Sequence, residues 1–271
     1  MLTLQHSLIT LFANNGDEKK FYDEIAYVLI PDAIRKYCGQ RQYSHFEKSP
    51  TNGDVSWLQY PVNLKQLNKE NADRLPKHLS AGIVPCAIGE EINIDSFETH
   101  NKHLPDDAYW GIKKHLVQDK IFDEWIRKQI DCSNKYEGRF IFQGKEYDEK
   151  STRELITNIE RQGIYILAYM IHKSYRVTTN QEWFDKHVKR QLAEKYPQDL
   201  ADGTYKRMTI PEDINKMISE HDWSELSRGI IPLKRYVEMY KQVVWEMMKI
   251  DLAESHEERV KRKIPEESQE I

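Results

Sequence analysis

The amino-acid sequence predicts a mainly α protein, a single multi-helix domain of about seven to nine helices with one small β-hairpin. Three observations lead there. Apolar residues recur at steps of three and four, most clearly over Ala108–Ile126, where Ile112, His115, Leu116, Asp119, Phe122 and Ile126 share one face. Helix-starting residues (Asp17, Ser151, Asn180, Pro211 and Pro232) stand ahead of the other periodic stretches. One segment, EGRFIFQGKEYD from Glu137 to Asp148, alternates convincingly around Gln143-Gly144, as a hairpin does.

Taken in order, Leu4–Ala13 is a short apolar helix carrying His6, followed by a turn at Asn14-Asn15-Gly16. Asp17 supplies a side-chain acceptor for the orphan N–H groups of the next helix, which runs to Leu29. Pro31 interrupts it by removing a donor and clashing with the preceding turn, so Asp32 sits at a helix break. Ala33–Tyr37 continues helically up to Gly39, and the polar loop GQRQYSHFEKSPTNGD holds Arg41 and His45. Leu64–Leu75 is helical, whereas His78–Phe97, with Gly82, Pro85 and Gly89, has no clear period, and the segment from His78 to Asn101 is expected to cover the mouth of a site. Asp106 and Asp107 favour the positive end of the central helix.

Beyond the hairpin, a long helix over Ser151–Arg176 is expected to start from an S-T-R-E capping box. Asn180 caps Gln181–Lys195, Pro211 opens a helix at Glu212, and Pro232 opens the last one, Leu233 to Glu254. From Ser255 the chain carries blocks of alternating charge and little to bury. The domain is therefore expected to span residues 1–254, with a disordered tail over 255–271.

With 40 basic and 44 acidic residues the chain has a net charge of −4, so stable nucleic-acid binding is not expected. The opening MLTLQHSLITLF lacks a basic region and a cleavage site, and no apolar run is long enough for a membrane span. The three cysteines, Cys38, Cys86 and Cys132, are too widely spaced for a metal knuckle or a disulfide framework. A reducing, cytoplasmic location is the expectation.

His115 and Asp119 lie one turn apart on the apolar face of the central helix. A carboxylate taken out of water there needs a donor, a cation or a metal. The plainest alternative is a structural His–Asp hydrogen bond. The other candidates are His6, Asp32 at the proline break and His45, a set of imidazoles and carboxylates that suits a divalent metal. Zinc fits best, or iron or manganese if water and oxygen donors complete the sphere. Arg41, four residues before His45, could clamp a phosphate bidentately; the alternative is a solvated loop arginine.

In this order the segments LQHSLIT, YVLIPDAI, RQYSHFE and YWGIKKHLVQDKIFD resemble the zinc-dependent phospholipase C-like family of helical, multi-metal phosphodiesterases. The resemblance implies metal binding by His6, Asp32, His45, His115 and Asp119, with Asp32 or Asp119 bridging two ions and Asp32, Asp119 and Arg41 serving catalysis. Secreted members also use their mature amino terminus as a ligand, and this chain has Met1 without a signal sequence. Family members carry further His and Glu ligands after the central helix. Here Asp123, His172 and Glu160 stand in that region, with His100 and His103 just ahead of it, so a reduced site similar to the HD-type helical phosphohydrolases is expected. The implied activity is metal-dependent hydrolysis of a small-molecule or nucleotide phosphoester. The alternative is a non-catalytic helical binding or regulatory protein with a degenerate or structural metal site.

Overall fold

Helix breaks and caps set the first third of the chain. The computed structural model describes residues 1–38, 45, 91–134 and 137–263. Helix α1 (Thr3–Ala13) ends at the Asn14–Gly16 turn, where Asn15 and Gly16 take positive φ values of 55° and 74°. Asp17 Oδ1 accepts the Lys19 and Lys20 N–H groups at 2.9 and 3.0 Å and so starts α2 (Glu18–Val28). The chain breaks at Leu29, two residues before Pro31, and continues as α3 (Ile30–Cys38) with Asp32 in its first turn.

The next described element is α4 (Ile94–His100), capped by Asn93, whose side chain accepts from Ser96 N at 3.0 Å. This corrects the aperiodic reading of the stretch ending at Phe97: seven residues are too few for a period to register, and Phe97 alone is buried on this helix. The expected Leu64–Leu75 helix and the covering segment from His78 to residue 90 lie outside the described residues.

Helix α5 (Asp106–Gln129) is the central element, packed by α2, α11, α3 and α4. It is buried around most of its circumference, so Lys114, Gln118 and Asp123 are inside together with Ile112, Leu116 and Phe122. Gly111 makes the closest approach possible. A Cβ there would lie 2.4 Å from Tyr27 Cβ and 2.8 Å from the Tyr27 carbonyl carbon, so the backbones of α2 and α5 meet where a side chain is missing. Three ion pairs tie α2, α5 and α11 (Leu233–Lys263) together beside it. The buried Lys114 ammonium pairs with Glu24 of α2 and lies 2.5 Å from Asp251 of α11, while Lys20 bonds Asp251 at 2.9 Å. Burial works against the Lys114 charge, but the two carboxylates outweigh it and raise its pKa.

A short strand β1 (Ile130–Asp131) leaves α5 and joins the expected hairpin, β2 (Arg139–Phe142) and β3 (Lys145–Asp148), in a three-stranded antiparallel sheet ordered β1-β2-β3. The register is Ile130↔Phe142 and Phe142↔Lys145, and Gln143-Gly144 take φ values of 51° and 77°, a two-residue turn of the primed kind. Helix α6 (Glu149–Tyr175) starts two residues earlier than expected. Its cap is Asp148, which accepts from Ser151 N at 2.7 Å, in place of a box led by Ser151.

Asn180 does cap the following run, accepting from Trp183 N at 3.0 Å. That run is α7 (Gln181–Phe184) and α8 (Arg190–Lys195) joined by a π-turn at Asp185–Lys189. Helices α9 (Gln198–Lys206) and α10 (Glu212–Glu220) follow, the latter after Pro211 as expected. The last helix, α11 (Leu233–Lys263), runs past Glu254, because helix-forming charged residues extend it after the apolar period has stopped. The protein is thus mainly α with one small sheet, and none of the helices in the described residues is long and apolar enough to cross a membrane.

Candidate metal centre

The five ligand candidates named from the sequence come together. Helix α1 brings His6, the first turn of α3 brings Asp32, α5 brings His115 and Asp119, and His45 reaches the same place. His6, His45, His115 and Asp119 are fully buried and Asp32 nearly so. Two overlapping groups of potential ligand atoms, His6–Asp32–His115 and His45–His115–Asp119, each lie within 4.8 Å of one another.

The distances leave room for a cation, although the closest pair is also within hydrogen-bond reach. His45 Nε2 lies 3.1 Å from His115 Nε2, and each of the two lies 3.4 Å from Asp119 Oδ2. Asp32 Oδ1 lies 3.6 Å from His45 Nε2. A tetrahedral ion with bonds of about 2.0–2.2 Å separates neighbouring donors by about 3.3–3.5 Å, so one cation fits among these atoms. The other oxygen of Asp119 faces a different group: Oδ1 is 3.3 Å from His6 Nε2 and 3.0 Å from the amino nitrogen of Met1, itself 3.6 Å from Glu160 Oε1. The two oxygens of Asp119 thus face different neighbours, Oδ2 the His45–His115 pair and Oδ1 His6 with the Met1 ammonium.

Electrostatics agree with the geometry. Burial alone raises the Asp32 pKa, but the hydrogen bond with His45 and the charges of His115, His6 and His45 outweigh it, and the carboxyl is held well below its usual range. Thr3 Oγ1 also donates to Asp32 Oδ2 at 2.7 Å. Burial lowers the His115 pKa, and the neighbouring His6 lowers it further against the pull of Asp119, so the imidazole is neutral near pH 7, the form that binds a metal. His6 and His115 stack with ring centroids 3.8 Å apart. His6 Nε2 and His115 Nδ1 are buried without a hydrogen-bond partner. Nε2 of His6 faces Asp119 Oδ1 at 3.3 Å, a pair that either a proton on the ring or a shared cation satisfies.

The secondary candidates join neither group. His100 turns its Nδ1 onto Ser96 O at 2.8 Å, and His103 is exposed. His172 packs on His221, with ring centroids 4.2 Å apart, and on Trp223. Asp123 is buried one turn beyond Asp119. Glu160 does come near, through the Met1 amino group. Arg41 lies outside the described residues. Sequence reasoning gave no role to Met1 and none to Gln118, whose Oε1 lies 2.8 Å from His6 Nδ1. A glutamine one residue before Asp119 was a visible signal only to a reader who expected α5 to be enclosed on all sides.

No family model, curated protein or solved structure matches this chain. The centre therefore has to be read from its own geometry.

Proposed function

We propose that this protein is a metal-dependent hydrolase of phosphoesters, with His6, Asp32, His45, His115 and Asp119 binding divalent ions and Asp119 bridging two of them. The observation that carries the reading is the triangle of His45 Nε2, His115 Nε2 and Asp119 Oδ2, 3.1–3.4 Å on a side in a fully buried place. Two nitrogens and an oxygen at that spacing suit zinc, with iron and manganese the next choices. When bound, such ions lower the pKa of water and neutralise charge on a phosphoryl group. The chain's own residues hold the arrangement: Asp119 presents one oxygen to each side, Thr3 fixes Asp32, and the stacked rings of His6 and His115 keep their positions in the core. The substrate class proposed is a small-molecule or nucleotide phosphoester.

A second reading has its own support. Every donor is buried, and closed sites of this kind are more often structural than catalytic. In that case the protein binds a metal and has no turnover. Elemental analysis after growth with zinc, iron and manganese, followed by assays on generic phosphodiesters and phosphomonoesters with each metal, separates the possibilities. Stoichiometric metal with metal-dependent turnover supports the hydrolase, and metal without turnover supports the structural site. Protein that takes up no metal under any condition rules out both.

A further inference from the structure

Gln118 is fully buried at the junction of α1, α5 and α11, and its amide can face only one way. The hydroxyl of Thr10 donates its single proton to His6 O at 2.8 Å, so toward Gln118 it can only accept. The sulfur of Met247 is likewise an acceptor. Gln118 Nε2 lies 3.5 Å from Thr10 Oγ1 and 3.3 Å from Met247 Sδ, so the amino end of the amide belongs on that side. The amide oxygen then faces His6 Nδ1 at 2.8 Å and can only accept from it.

From this chain of donors and acceptors we propose that Gln118 is a positioning residue that fixes His6 as the Nδ1–H tautomer and aims its bare Nε2 at a cation shared with Asp119. The proposal rests on the metal-centre reading above and adds to it the residue that prepares the His6 side. With Nδ1 carrying the proton, the Nε2 lone pair points toward Asp119 Oδ1 at 3.3 Å. The Met1 ammonium, 3.0 Å from the same Asp119 oxygen, meets that carboxylate from its other side and leaves the Nε2 lone pair for a cation. Gln118 thereby disfavours the neutral Nε2–H tautomer, in which the ring donates to Asp119 and has no lone pair to offer a metal. Partners of the non-ligating nitrogen are a recurrent means of setting the orientation and basicity of metal-bound histidines.

Two measurements test this, and the first needs no metal. Long-range proton–nitrogen NMR correlations on metal-free wild-type protein should report His6 as Nδ1–H. A ring carrying a proton on Nε2, with or without one on Nδ1, would overturn the proposal, whatever the metal content turns out to be. The second is titration of the full chain with zinc and with cobalt(II), followed by calorimetry and the visible spectrum of the cobalt form. Gln118→Met keeps the volume and removes the acceptor, and should weaken binding at the His6 side by about 10–100-fold while the His45–His115 side keeps its affinity. Gln118→Glu keeps an acceptor at the same place and should restore the binding. Wild-type affinity at both sides in Gln118→Met would overturn the proposal. If Gln118→Met fails to fold, the tautomer of the wild-type protein still decides it. Should wild-type protein bind neither metal, the hydrolase reading falls, and the tautomer alone then tells whether Gln118 sets the ring.

Discussion

His6 and His115, from helices whose contact residues are more than a hundred positions apart, stack face to face at 3.8 Å with their planes inclined by 21°. Two protonated rings at that distance in the core would repel, and burial already lowers the His115 pKa below its ordinary 6.5. Between that lowered value and 6.5 the unfolded chain binds more protons than the folded one, so stability falls as pH drops through the window. Metal-free protein should therefore unfold at lower urea concentration at about pH 5.5 than at about pH 7.5. His115→Gln, which does not titrate, should flatten that difference. The depressed Asp32 carboxyl adds a separate loss further down, as pH falls below 3.8 toward its folded value.

Asp119→Asn should abolish binding of both ions, because each oxygen of the carboxylate serves a different donor set. The metal-free variant should also be less stable than metal-free wild type. The Met1 ammonium keeps an amide oxygen to donate to but loses the nearer of its two buried counter-charges, and leaving a buried charge unpaired is destabilising. Elemental analysis with parallel urea melts checks both parts. A variant with full metal content removes Asp119 from the centre.

Gly111→Ala should destabilise the protein even though alanine is the better helix former by about 1 kcal/mol. The new methyl meets backbone and Cβ atoms of Tyr27, which cannot rotate away, so α2 and α5 must move apart. Overpacking of this kind costs about 1–3 kcal/mol. Since His115 is one turn further along the same helix, the affinity for zinc should fall as well, which calorimetry would register.

Lys114→Met should cost about 2–4 kcal/mol, since it leaves Glu24 and Asp251 facing each other without the cation between them, in partly buried positions. Adding Glu24→Gln and Asp251→Asn should recover much of the loss, because the penalty is that of unpaired charge. No recovery in the triple variant would mean that Lys114 acts through its packing.

The parts of this site that could be read from the sequence are those with a local cause. His115 and Asp119 share a turn of a periodic helix, Asp32 follows a proline that breaks one, and His6 stands on an apolar helix. Lys114 and Gln118 could not be read in the same way. On a helix with one buried face they belong to solvent, and what buries them is the packing of α2 and α11, whose partners Glu24, Asp251 and Met247 are remote in sequence. The same applies to β1, a strand of two residues that exists only because β2 is there to pair with it, and to the cap of α6, where Asp148 and Ser151 compete and three residues of sequence do not say which wins.

The donors of the His45–His115–Asp119 triangle are supplied from positions 70 residues apart along the chain. An ion held there is a crosslink that closes a long loop, and it opens only when the chain unfolds or the ion leaves. Heat tolerance then becomes a property of the solution as much as of the polypeptide: with free metal at a hundred times its dissociation constant the folded form gains about 2.7 kcal/mol, and with a chelator it gains nothing. A melting curve recorded against free zinc is for this fold a binding isotherm, obtained without a substrate.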